Sequence, residues 1–477
     1  MKAKVSKTYL VFIAVLTAIA ATVALTSCQT GGESSSQTTT AAASAATQDE
    51  AAAATLPEGS GSAKLTESDI AVNETIENAE DGGHAIVADG ETLSYANVRV
   101  DKTGEADGDE ADFYGENAAV YAANGGTLTL KEVVVKTDGT HANAVFSYGE
   151  GTTVNIANAY IETSGNCSGG LMTTGGGTMN AENLTINTSG NSSAAIRSDR
   201  GGGTVNVTGG NYTTSGTGSP VIYSTADITV SDATMTSTAS QGVVVEGKNA
   251  VTLNNVNLTA DNNKKNSDKS SRYQAVMIYQ SMSGDAAEGA SRFAMNGGTL
   301  TNQNGDVFFI NNTATEITLK NAQITNNGNG VFLRAAAAGW GSEGSNAGWG
   351  SEGSNGGQVT LNASNQIING DMIVDSVSHL NLYLSNNASF TGAINSSGQD
   401  GEVYVEIEDG SIWTLTGDSY ITGMTCGANA INLNGHKLFI DGTSYTEGSA
   451  SFGDPIAVQS TGNGHGGGNP PAKPEND

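Results

Sequence analysis

The chain has 477 residues, 63 of them glycine, with only 14% charged residues and a formal net charge of -29 at pH 7. A surface this acidic repels polyanions. It argues against nucleic-acid partners, against peripheral binding to anionic lipid, and against a bare polyanionic substrate unless a cation bridges.

At the N-terminus, Lys2, Lys4 and Lys7 precede an apolar run from Tyr9 to Leu25 that ends in Leu25-Thr26-Ser27-Cys28. Basic, then hydrophobic, then small residues is the order of an export signal. The last four residues match the bacterial lipoprotein cleavage box, in which the cysteine becomes the acylated N-terminus. Residues 1–27 are therefore expected to be a lipoprotein signal peptide, with Cys28 lipidated and the chain anchored to the bacterial cell membrane or outer membrane and exposed at the surface. Residues 28–80 are mostly Ser, Thr, Ala, Gln and Glu, a composition that buries too little surface to order itself and reads as a flexible tether.

From residue 81 to 445 one short unit recurs, clearest in Thr204-Val-Asn-Val-Thr-Gly-Gly-Asn-Tyr, Asp227-Ile-Thr-Val-Ser-Asp-Ala-Thr-Met and Ala250-Val-Thr-Leu-Asn-Asn-Val-Asn-Leu. Its second residue marks the register at Leu93, Leu128, Val154, Met179, Val205, Ile228, Val251, Phe293, Ile317 and Val359, and most spacings lie between 23 and 26 residues. Apolar and polar residues alternate around the mark, which is a strand pattern. Four residues later stands Asn97, Glu132, Asn158, Asn183, Gly209, Asp232, Asn255, Gly297, Asn321 or Ala363, mostly types that tolerate a left-handed backbone. A second strand follows that tight turn, as in Val98 and Val100 or Val256 and Leu258, and a third apolar run precedes each mark, as in Val243-Val-Val. Three strands per coil predict an all-β solenoid, a single-stranded right-handed parallel β-helix of about 12 to 14 coils with Asn97, Asn158, Asn183, Asn255 and Asn321 stacked in one turn. Cys167 and Cys426 would lie about ten coils, or ~50 Å, apart, too far to bridge one another.

These units resemble the right-handed β-helix of the pectin-lyase-like superfamily. The run Ser198-Asp-Arg-Gly-Gly-Gly-Thr through Ser219-Pro-Val-Ile-Tyr-Ser to Val245-Glu-Gly-Lys-Asn is similar to bacterial β-helix lipoproteins of adhesin-like type. The terminal stretch, with Trp413-Thr-Leu-Thr-Gly-Asp-Ser and Gly435-His-Lys-Leu-Phe-Ile-Asp-Gly, resembles the last coils of autotransporter passenger domains and supplies the cap an open last coil needs. Residues 446–477 are Gly- and Pro-rich and are expected to be a disordered tail.

Three insertions interrupt the repeat. The first, Asp101 to Tyr114, holds Asp107, Asp109 and Asp112, weak candidates for a calcium site, and otherwise reads as a solvated acidic loop. The second, Asp261 to Arg272, carries Lys264, Lys265 and Lys269, a local positive charge that can recruit an acidic ligand. The third duplicates a nine-residue block and places Trp340 and Trp349 in a Gly-rich loop, where they can stack on sugar rings or simply mark a recent slippage event.

Function is expected to be binding or structural, with a glycan or a neighbouring cell surface as partner and Tyr121, Tyr148, Arg197, Asp199, Tyr223, Glu246, Trp340 and Trp349 as ligand-surface candidates. The resemblance implies a rival, a lyase acting on an acidic polysaccharide with Arg197 as base and Asp199 helping to hold calcium. Against it, no stack of carboxylates on adjacent coils accompanies that arginine. No catalytic residue, cofactor site or phosphate loop is assigned, and the five histidines show no metal-ligand spacing.

Overall fold

Each coil follows the sequence pattern directly. In one of them, strand Ile196–Ser198 leads through a glycine turn to strand Gly203–Thr208, and a left-handed Gly209 (φ 69) then turns the chain into strand Asn211–Thr214. The computed structural model describes residues 64–265, 272–281, 283–337, 350–351, 353–398 and 400–458. Cys28, Lys269, Trp340 and Trp349 lie outside them. Stacked coils form three parallel sheets of a β-helix: a first sheet of ten strands from Glu74–Asn78 to Gln323–Asn326, a second of eleven from Ile86–Asp89 to Asp371–Val374, and a third of thirteen from Thr92–Ala96 to Gly423–Cys426. The first strand falls inside the stretch read as tether. Among the described residues no helix is long and apolar enough to cross a membrane.

The register marks from Leu93 to Ile317 pair one on the next along the third sheet. From Leu128 to Ile317 their side chains are buried in the core, each contributing roughly 1.5–3 kcal/mol, and Leu93 packs half-buried against it. Val359 departs from the expected register. It pairs with Thr315, while Leu361 pairs with Ile317. A slip of two residues keeps every side chain on its face, so alternation alone cannot detect it. The turn residue of that coil is consequently Asn365 (φ 47), whose Nδ2 donates to Asn321 Oδ1 at 2.6 Å, and not Ala363.

The five asparagines expected in one turn do occupy it, with φ between 52 and 57. Asn183 Nδ2 donates to Asn158 Oδ1 at 2.8 Å, Asn97 to Glu132 Oε2 at 3.0 Å, and Asn255 to Asp232 Oδ1 at 2.7 Å. A second ladder lines the turn between the first and second sheets. Ser193 donates to the Gly165 carbonyl at 3.0 Å and Ser219 to the Gly190 carbonyl at 2.8 Å. The glycines of that turn are packed against one another, and a Cβ on Gly190 would stand 1.8 Å from the Gly165 carbonyl oxygen.

Two regions go beyond the repeat. The first insertion folds as helix α1, Gly108–Tyr114, with Ala111, Asp112, Phe113 and Tyr114 buried, rather than as a solvated loop. It is held to the second sheet by Thr174 Oγ1, which donates to the Phe113 carbonyl at 2.7 Å. At the C-terminal end a four-stranded sheet, Ile367–Asn369 to Ile431–Asn432, replaces the first sheet. Strand Leu438–Ile440 turns back on Thr443–Ser444 as an antiparallel pair, and Ser451 bridges Cys426. These reversals cover the last coil edge.

Candidate functional site

Side chains that alternate with core residues on a solenoid strand face away from the core. Along the second sheet Ile196 and Ile222 join the main core, so Arg197 and Tyr223 belong to the opposite face. That face is closed all the same. Phe146, Met172, Arg197, Tyr223, Val244 and Met277 stack in register and none is more than 3% exposed. Tyr223, Val244, Met277, Tyr279 and Phe309 form an apolar cluster separate from the main core.

Within this cover lies a charged centre. Arg197 Nη2 donates to Asp199 Oδ2 at 2.9 Å, both fully enclosed. Burial opposes the guanidinium charge, but the Asp199 and Asp112 carboxylates outweigh it, so Arg197 holds its proton more tightly than usual. Burial pushes the Asp199 carboxyl up to about 7, Arg197 restrains the shift, and the Asp285 and Glu246 charges add to it. Glu246 accepts hydrogen bonds from the Tyr223 hydroxyl and, at 2.9 Å, from the Tyr279 hydroxyl. Its pKa is raised by burial, and both tyrosines are raised well above their ordinary value, again mainly by burial.

Arg200 fastens the cover from outside. Its Nη1 lies 2.8 Å from Asp109 on α1, its Nε 2.7 Å from Asp285 in the 281–290 segment, and its guanidinium carbon 3.6 Å from the Phe113 ring centre. The three calcium candidates thus separate. Asp109 binds Arg200, Asp112 sits 3.0 Å from buried His141, and Asp107 is the N-cap residue of α1. Asp112 instead groups with His141 and Cys167, whose ligand atoms lie within 4.8 Å of one another. The Arg197 charge beside Asp112 opposes a cation there. Tyr121 stacks on His84 at 4.6 Å between ring centres, and Tyr148 meets Tyr114 edge-on at 5.8 Å.

Beside this closed centre is an open cleft of about 430 Å³. Its floor is the glycine turns Gly175-Gly176 and Gly201-Gly202-Gly203, all at positive φ, and Lys248, Asn249, Arg292, Asp227 and Glu150 surround it. Space requires glycine here, since a Cβ on Gly201 would lie 2.8 Å from Gly175 Cα. Arg292 and Asp227 are exposed and 3.6 Å apart, so their mutual attraction is screened by solvent. Asp285 borders both the cleft and the closed centre.

Arg197, Asp199, Tyr223 and Glu246, expected from the sequence to present a ligand surface, are instead buried, because the outer face of the second sheet is covered. Sequence reasoning missed Asp285 and His141, which reach the centre from an insertion and a turn with no spacing to signal them. The paired glycines were the available sign of the cleft. No protein family, curated protein or solved structure matches the chain.

Proposed function

We propose that this chain is a lipid-anchored, surface-displayed β-helix protein with an adhesin-like binding role, and that its ligand is a glycan. The anchoring rests on the export signal and Cys28, and the affiliation with adhesin-like β-helix lipoproteins rests on the resemblance of the repeat units. The observation that carries the binding reading is the contrast between the two neighbouring sites. The acid–base groups are sealed, Arg197 paired with Asp199 and Glu246 accepting from Tyr223 and Tyr279, whereas the cleft offers donors and acceptors of both signs on a glycine floor open to solvent. Such a lining suits a hydroxyl-rich ligand, which needs many hydrogen bonds and little apolar area.

The rival lyase reading asks Arg197 to surrender a proton that two carboxylates hold in place. The test is a glycan array on the mature chain from Cys28, repeated with Lys248→Ala and Asn249→Ala. Retention of unaltered glycans that weakens in both variants supports the proposal. Undiminished retention in both would remove the cleft from it. For the anchor, Cys28→Ser should release the protein or leave it unprocessed, and an unchanged membrane fraction would contradict acylation.

A further inference from the structure

The second insertion ends at Arg272, and the strand that follows, Gln274–Tyr279, pairs Gln274 with Asp306 on the next coil. Asp306 is buried and fully engaged. Arg334 reaches it through Nε at 2.6 Å and Nη2 at 3.3 Å, and Asn329 Nδ2 donates to it at 2.7 Å. One carboxylate therefore serves Arg334, and Arg272, two residues before Gln274, brings a second guanidinium to the same neighbourhood. Among the described residues no carboxylate forms an ion pair with Arg272, and its buried Nε lacks a hydrogen-bond acceptor. Burial, then the charge of Arg334, weakens its hold on its proton, and Asp306 only partly compensates. The Gln274 amide oxygen nearby is likewise buried without a donor. Lys264 and Lys265 are exposed on the same insertion. On a chain of net charge -29 this is a local excess of cation with an unfilled donor.

We infer that Arg272 and Arg334 form an oxyanion subsite that takes the carboxylate or sulfate of an acidic saccharide. A guanidinium presents planar paired donors to such a group, and a partly buried one is screened little by salt. Arg272 supplies the Nε donor that no described acceptor fills. Arg334, fixed by Asp306, supplies field and position. The choice of a saccharide as carrier rests on the glycan-binding reading above, whereas the oxyanion site itself does not.

The experiment titrates the full mature chain with inorganic sulfate, an oligogalacturonate and a neutral oligogalactoside, using the wild type, Arg272→Gln and Arg272→Lys. Sulfate and oligogalacturonate should each bind the wild type and lose about tenfold in affinity in Arg272→Gln, as expected for one charge-assisted hydrogen bond. Arg272→Lys should recover part of that loss. Neutral oligosaccharide affinity should not move. Thermal stability without anion should be equal or higher in Arg272→Gln, because that variant breaks no ion pair among the described residues and relieves a repulsion with Arg334. A wild type that binds neither anion, or an Arg272→Gln variant that binds both unchanged, would overturn the subsite. Loss of neutral binding alone would count against the cleft and leave the oxyanion result to be judged on sulfate.

Discussion

The outer faces of the first and second sheets are built on opposite plans. On the first sheet the outward row Thr213, Thr236, Thr259, Thr301 and Thr325 is polar and at least partly open to solvent on every coil. On the second sheet the equivalent row runs through Phe146, Met172, Arg197, Tyr223 and Val244 and is closed. The polar face needs only the repeat, because each threonine sits on the one below. The closed face needs the insertions, because α1 and the 281–290 segment must arrive and be fastened by Arg200. Regularity and specificity are thus divided between sheets.

The largest effect expected from breaking this contrast comes from Arg197→Ala. It leaves Asp199 buried beside Glu246 and Asp285 without its cation, at a cost of about 3–5 kcal/mol in urea unfolding. A cost below ~1 kcal/mol would mean that the centre is wet or loosely packed.

Next in size is a dependence on pH. Burial raises the Asp199 carboxyl to about 7 in the folded chain, from an ordinary value of 3.8. Below about pH 4 the carboxyl is neutral in both states and burial carries no charge penalty. As pH rises from about 4 to 7 the unfolded chain ionises first, so stability falls across that window and the loss is complete above it. Glu246, shifted in the same direction, adds to the trend. Asp199→Asn should flatten the profile measured by urea midpoints. A profile that rises across the window would contradict the placement of this carboxyl.

How much was legible in the sequence follows the same division. The Asn turn column and the pairing of register marks from Leu93 to Ile317 are statements about period, and period is visible in one dimension. The slip at Val359 escaped because two residues is the period itself. The meeting of Asp109 with Arg200 and of Asp285 with Arg200 depends on loops crossing several coils, for which no spacing rule exists. The acidic insertion showed charge and concealed its amphipathic side, where Ala111, Phe113 and Tyr114 pack inward.

Smaller effects probe the regular plan. Gly190→Ala places a methyl 1.8 Å from the Gly165 carbonyl oxygen and should cost about 1–3 kcal/mol in thermal or urea unfolding. Asn183→Ala forfeits the 2.8 Å bond to Asn158 and puts alanine at φ 52, for about 1–2 kcal/mol. If the two variants reversed this order, the glycine column would be looser than its spacing implies.

The central claim, that this rod binds rather than turns over its ligand, is tested most directly on polygalacturonate with calcium. The mature chain from Cys28 is incubated with the polymer and near-ultraviolet absorbance is followed for unsaturated uronides. No absorbance should develop while an array of glycans is retained unaltered. Steady release of unsaturated product, abolished by Arg197→Ala in a variant shown to remain folded, would contradict it.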